Sequence, residues 1–175
     1  MLIGPPRSGK GTITRVLQLL LGAGNVASPT LSSLAGDFGL WPLLNKYVAL
    51  IPDARLSGRD DSVAVVERIL SLTGEDPQDI HRKCLPTLTG IRMPIRFVLM
   101  SNELPNLRDA SGAFMTRVIL LTMTESFVGR EDRTLGDRLA TELPGILNWS
   151  IEGWKRLNQR GYFLQPGSST EMLTD

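Results

Sequence analysis

One stretch near the start of the chain constrains the fold more than any other: Gly4-Pro5-Pro6-Arg7-Ser8-Gly9-Lys10-Gly11-Thr12. Apolar residues Met1, Leu2 and Ile3 precede it, as the end of a strand would. Ile13, Val16, Leu17, Leu20 and Leu21 follow it at helical spacing, which predicts a helix over Lys10–Leu21 stopped by Gly22 and Gly24. Glycines let backbone N–H groups turn inward around a chain of phosphates. A helix opening at Lys10 adds its positive end, and the lysine supplies a charge for the terminal phosphates. The setting between a strand end and an amphipathic helix favours this phosphate loop over a Gly/Pro turn that merely precedes a helix. Gly11 stands where Ser or Thr usually holds Mg²⁺, so Thr12, one residue on, is the candidate hydroxyl.

The rest of the chain reads as strands alternating with helices. Tyr47–Ile51, Arg96–Met100 and Val118–Met123 are apolar runs that suit buried parallel strands. Helices are predicted at 31–38 and 40–45, separated by Gly39, and at 61–72, 130–141 and 144–160, with Ile80–Arg92 a loop or hairpin. This pattern predicts an α/β fold in three layers with a mainly parallel sheet. It is organised as one core over residues 1–163 and a polar, frayed C-terminal tail over 164–175. Ligands of such sheets lie beyond the carboxyl ends of the strands, where Gly4–Lys10, Asp53 and Asn102 fall.

Asp53 follows the Val48–Ile51 run, a place suited to an acid that holds Mg²⁺ or its water shell. An Asp in a turn after a strand is the plain alternative. No acid stands beside it, because Ala54 and Arg55 come next. Glu67, Asp60 and Asp61 are the substitutes on offer for a water-activating base. Asn102, after Phe97–Met100, can orient a water or touch a γ-phosphate, or simply cap a turn. Arg117, between Asp109-Ala110-Ser111-Gly112 and a strand, can reach a neighbouring subunit's nucleotide or form a salt bridge. His81, Arg82 and Lys83 make a small basic cluster that can contact a nucleic-acid backbone without reading sequence. From charge alone, a solvated face is the stronger reading of that cluster.

Composition sets limits. The chain has 175 residues, a net charge of +1 and 42% hydrophobic residues, so its overall balance does not announce a nucleic-acid partner. Arginine outnumbers lysine fifteen to four, which suits phosphate contacts and equally suits coding bias or surface ion pairs. No apolar run is long enough for a bilayer span, so no membrane is expected. A lone cysteine, Cys84, excludes an internal disulfide and suits a reducing cytoplasm. With three residues ahead of Gly4, the chain is expected to be the core of a longer protein, or a very minimal version of it.

Taken in order, the stretches G-P-P-R-S-G-K-G-T, V-A-L-I-P-D-A-R-L-S-G, L-T-G-E-D-P-Q-D-I-H-R-K, F-V-L-M-S-N-E-L-P, D-A-S-G-A-F-M-T-R and E-L-P-G-I-L-N-W resemble the superfamily 3 helicase domain of phage and plasmid primase-helicase proteins. The resemblance runs from Gly4 to about Phe163. It implies a P-loop NTPase of AAA+-like type that binds ATP and Mg²⁺. In that likeness Gly4, Pro5, Pro6, Arg7, Ser8, Gly9, Lys10, Gly11 and Thr12 hold the nucleotide, and Thr12 and Asp53 hold the metal. Lys10, Asp53, Asn102 and Arg117 carry the catalysis, Arg117 in trans. Arg82 and Lys83 sit on the element that contacts single-stranded DNA. A hexameric ring of the full-length protein and replication in a bacterial cytoplasm are further implications. Two departures count: Ala54 replaces a second acid, and the primase region is absent. A small nucleotide kinase of adenylate-kinase type shares the G-K-G-T form of the loop. An ATP-binding assembly module with slow turnover would suit the missing acid.

Overall fold

The run Val48–Ile51 has no polar side chain to present to water, and the fold places it inside. The structure, a computed structural model, describes residues 1–54, 59–104 and 112–167, and within these not the side chains of 59–61. β1 (Leu2–Ile3) leads through the Gly4–Gly9 loop into α1 (Lys10–Leu21). β2 (Val26–Ala27), α2 (Leu31–Ala35), a 3-10 turn at Trp41–Leu43 and β3 (Val48–Ile51) follow. Then come α3 (Arg59–Thr73), β4 (Gln78–Arg82), β5 (Leu85–Ile91) and β6 (Arg96–Ser101). α4 (Ala113–Thr116), β7 (Leu121–Thr122), α5 (Leu135–Thr141) and α6 (Leu143–Arg160) complete the order.

Five strands form one sheet in the order β2-β3-β6-β1-β7, and every pair in it is parallel. Alternation along the strands sorts the side chains between two faces. Ala49, Ile51 and Leu99 point to one face and join a core with Leu31 and Leu34 of α2, Val65, Val66, Ile69 and Leu72 of α3, and Phe114 of α4. Each such leucine or isoleucine contributes roughly 1.5–3 kcal/mol by burial. Leu50 and Met100 alternate with these residues and are buried on the opposite face, and α1, α5 and α6 pack against one another. The expected α/β architecture with a mainly parallel sheet is therefore present. β4 and β5 form a separate antiparallel ribbon. Among the described residues, no helix is long and apolar enough to cross a membrane.

The predicted elements differ from the observed ones in four informative places. Leu40–Asn45 is a 3-10 turn, with Pro42 in its first turn and Asn45 at φ 60 beyond it. Val118–Met123 narrows to Leu121–Thr122 because Gln165 takes the neighbouring backbone groups. Leu120 N–H donates to Gln165 Oε1 at 3.0 Å, and Gln165 Nε2 donates to Val118 C=O at 3.1 Å. Gln165 is thus tied to the sheet edge rather than frayed, while 168–175 lie outside the described residues. The helix predicted from Arg130 starts only at Leu135. Asp132 sets that start: its Oδ1 accepts from Thr134 N–H at 2.9 Å and Thr134 Oγ1 at 2.8 Å. These bonds, the Thr134 hydroxyl first, hold the Asp132 carboxyl below the ordinary carboxylate range. The fourth place is α4, a single turn over Ala113–Thr116, for which no element is predicted.

Candidate functional site

The sheet order decides what can meet at its carboxyl edge. β6 lies between β3 and β1, so residues following these three strands stand side by side. Ile51 pairs with Leu99, and Ile3 pairs with Ser101 and Thr122. Continuing that register places Asp53, Asn102 and Gly4 along one edge. Ala54 N–H donates to Met100 C=O at 2.8 Å and Gly4 N–H to Ser101 C=O at 3.3 Å, fastening both neighbours to β6.

The loop is held from two sides. From inside, Lys10 Nζ donates to Gly4 C=O at 2.6 Å, Pro5 C=O at 2.8 Å and Ser8 Oγ at 3.2 Å. Burial lowers the pKa of this ammonium from its ordinary value. From outside, the segment after β7 clasps the loop. Ser126 Oγ donates to Pro6 C=O at 2.9 Å, and Phe127 N–H donates to Arg7 C=O at 3.2 Å. Met123 N–H donates to Ile3 C=O at 2.7 Å, and Ser8 Oγ lies 3.8 Å from Met123 Sδ. Arg7 and Glu131 pair at 3.8 Å on the surface.

The carbonyls of Gly4, Pro5, Pro6 and Arg7 are therefore all engaged. By contrast, among the described residues no hydrogen bond takes up the N–H of Arg7, Ser8, Gly9, Lys10 or Gly11. Pro5 and Pro6 have no N–H to offer. Arg7 at φ 60 and Gly9 at φ 94 give the backbone its left-handed bends, which cost little for Gly9 and something for Arg7. A curved run of free N–H donors at the start of a twelve-residue helix, with an ammonium beside it, can hold a multiply charged anion. Gly4 is required on space alone: an added Cβ would meet Met123 C=O at 2.3 Å and Met123 Cβ at 2.8 Å.

The other sequence-assigned residues sort by edge. Asp53 and Asn102 are exposed at the carboxyl edge beside the loop. Gly11 has nothing within 4 Å of an added Cβ, so its missing hydroxyl reflects no lack of room. Thr12 shares a helical stripe with Val16 and Leu20, about 100° around α1 from Gly11. These three side chains line a cavity of about 1100 Å³ that is mainly apolar. That cavity lies along α1, α6 and the amino ends of β1 and β6, so it is not the anion site. Arg117 stands at the amino edge, away from its own loop. Its Nη1 donates to Leu70 C=O at 2.5 Å and Thr73 Oγ1 at 3.2 Å, at the end of α3. On the β4–β5 ribbon, Arg82 donates through Nε and Nη2 to Pro86 C=O at 3.0 and 2.7 Å. Lys83 is exposed in the two-residue turn with Cys84.

Ala54 explains the missing second acid in physical terms: its side chain is completely buried in the core, where a carboxylate would be costly. Glu67 lies on α3 about 12 Å along the axis from Arg59, away from the carboxyl edge. The side chains of Asp60 and Asp61 lie outside the described residues. Glu103 was passed over in the sequence, although it follows Asn102 directly. It is exposed at the end of the central strand, with its N–H donating to Ser101 Oγ at 3.4 Å. The signal that could have found it is the acid's position one residue past the polar end of an apolar run. Among the described residues, no group of three His, Cys, Asp or Glu could hold a metal ion unaided.

The model of a family described only as of unknown function, DUF5906, matches residues 2–117, more than half of the chain. No curated protein matches it. Among solved structures, the chain is similar to apo structures of the NrS-1 C-terminal region. One gives a TM-score of 0.61 at 17% identity, over 83% of this chain and 35% of that one. A second, in its A form, gives 0.57 at 17% identity, over 82% and 33%. The chain spans about a third of the length of those structures, and at that identity the likeness is one of fold.

Proposed function

The chain belongs to DUF5906, and we propose that it is the ATP-hydrolysing core of a DNA-translocating motor of superfamily 3 helicase type, built on a P-loop NTPase fold and serving phage or plasmid DNA replication. The observation that carries this is the Gly4–Thr12 loop, in which four carbonyls are engaged, two of them by Lys10, and, among the described residues, five N–H groups remain available. A triphosphate is the ligand whose charge and length suit that cradle. The strand order supports the same reading, because Asn102 follows β6, the neighbour of β1, and Asp53 follows β3, the next strand beyond it.

In this reading Lys10 leaves its loop carbonyls for the terminal phosphates. Magnesium fits the donor set here only if it shares its ligands with phosphate oxygens, with Asp53 as the carboxylate. It would shield the charge of the transferred phosphoryl group. Thr12 serves that ion only through a hydroxyl set on the cavity-facing stripe, so Asp53 is the firmer ligand. Asn102 orients the attacking water. Glu103 takes the proton of that water as it bonds to the γ-phosphorus, and ADP leaves with the bridging oxygen. Arg117, set at the far edge from its own loop, completes the site of a neighbouring subunit in a ring. Lys83 and Arg82 carry the ribbon's contact with single-stranded DNA.

One observation favours a slower enzyme: full burial of Ala54 closes the place next to Asp53 to any acid. An ATP-dependent assembly module would follow if Glu103 does not serve as base. Phosphate release, measured with and without single-stranded DNA, separates the two. A motor accelerates on DNA, and Glu103→Gln slows it by about 100-fold while ATP still binds. A rate that neither DNA nor Glu103→Gln alters removes the motor and leaves the assembly module.

A further inference from the structure

The segment between β7 and α5 does more than brace the loop. Phe127 is fixed at both backbone ends: its N–H donates to Arg7 C=O at 3.2 Å, and its C=O accepts from Arg130 N–H at 2.9 Å. Ser126, one residue earlier, donates to Pro6 C=O at 2.9 Å. Arg130 Nη2 donates to Ser126 C=O at 3.2 Å, and its guanidinium carbon sits 5.8 Å from the centroid of the Phe127 ring. Yet this firmly held ring is 44% exposed, and the adjacent Val128 is 64% exposed. A scattered surface phenylalanine needs no explanation. One hydrogen-bonded through its own backbone to a phosphate cradle, and backed by a cation, is different.

Resting on the nucleotide reading of the loop, we propose that Phe127 is the platform for the base of the bound nucleotide, with Arg130 bracing the ring. A nucleoside triphosphate has two parts to hold. The loop's N–H groups and Lys10 suit the phosphates and offer nothing to the base. An exposed aromatic face suits a base of any sequence, and the larger π-face of a purine best, because stacking needs no hydrogen-bond readout. The cation behind the ring polarises it and limits its rotation. The ligand class is therefore a purine nucleoside triphosphate held at two points.

The test compares ATP with inorganic tripolyphosphate, which has the phosphates and no base. Phe127→Ala is expected to weaken ATP binding about tenfold and to leave tripolyphosphate affinity nearly unchanged. Phe127→Trp is expected to keep ATP affinity, and its added indole emission should be quenched by ATP and not by tripolyphosphate. Unchanged ATP affinity in Phe127→Ala overturns the platform. So does an equal loss for both ligands, which would make Phe127 a brace of the loop alone, and so does a silent indole in Phe127→Trp. Lys10→Ala keeps the two failures apart. If the wild-type chain binds neither ligand, or Lys10→Ala binds both undiminished, the loop reading falls and takes the platform with it. If Lys10→Ala loses both ligands and Phe127→Ala loses neither, the platform falls alone.

Discussion

The Gly4–Thr12 loop and the β4–β5 ribbon both offer positive charge, and the fold supports them in opposite ways. The loop is gripped by Lys10 from within and by Met123, Ser126 and Phe127 from without. The ribbon stands on one fully buried side chain, Ile80, with the rest of β4 and β5 half-exposed or exposed. Arg82 spends its bonds on Pro86 within the ribbon, and His81 Nδ1 lies 3.1 Å from Thr87 Oγ1. A site that must meet a ligand at fixed distances needs its own polar groups committed beforehand. An element that touches a polymer's backbone without reading it needs only charge held forward.

The comparison can be broken at its tightest point first. Gly4→Ala drives a Cβ into the Met123 backbone, which must shift to make room. ATP affinity is expected to fall about 100-fold, with stability lower by about 2 kcal/mol, read by calorimetry and by urea unfolding. Retained affinity would mean that the close packing of loop on Met123 is dispensable. Ile80→Ala removes the ribbon's anchor and should cost about 3 kcal/mol in urea unfolding, while ATP binds as before. A matching loss of ATP affinity would show that loop and ribbon are not independent. The smallest effect is expected from Lys83→Ala. Affinity for single-stranded DNA should drop a few-fold, and the slope of log affinity against log salt should fall by about 0.7, without change in ATP binding. An unchanged slope would remove Lys83 from the DNA contact.

Much of this arrangement is legible in the residues. α1 occupies Lys10–Leu21 as its apolar period requires, and the apolar runs give β3 and β6 with the right order of edge residues. What escapes is whatever depends on partners distant in sequence. β2 has two residues, too few for a period. The segment 126–130 is placed by Ser126 Oγ donating to Pro6 C=O and Phe127 N–H donating to Arg7 C=O, roughly 120 positions earlier. Val118–Leu120 is apolar enough for a strand, but Gln165 supplies its hydrogen bonds. Ala54 reads as a lost acid, and only the fold shows that its position is closed to one. Glu103 is unremarkable in sequence until β6 is placed at the centre of the edge.

The central claim is that the committed carbonyls and free N–H groups of the loop make a triphosphate site with Lys10 as its charge. Titration of Mg-ATP into the wild-type chain and into Lys10→Ala, by calorimetry, tests this most directly. The account predicts saturable binding to the wild type and at least about a tenfold loss in the variant, the cost of removing a charge-assisted bond. Equal affinity in the two proteins, or no binding by the wild type, would contradict it.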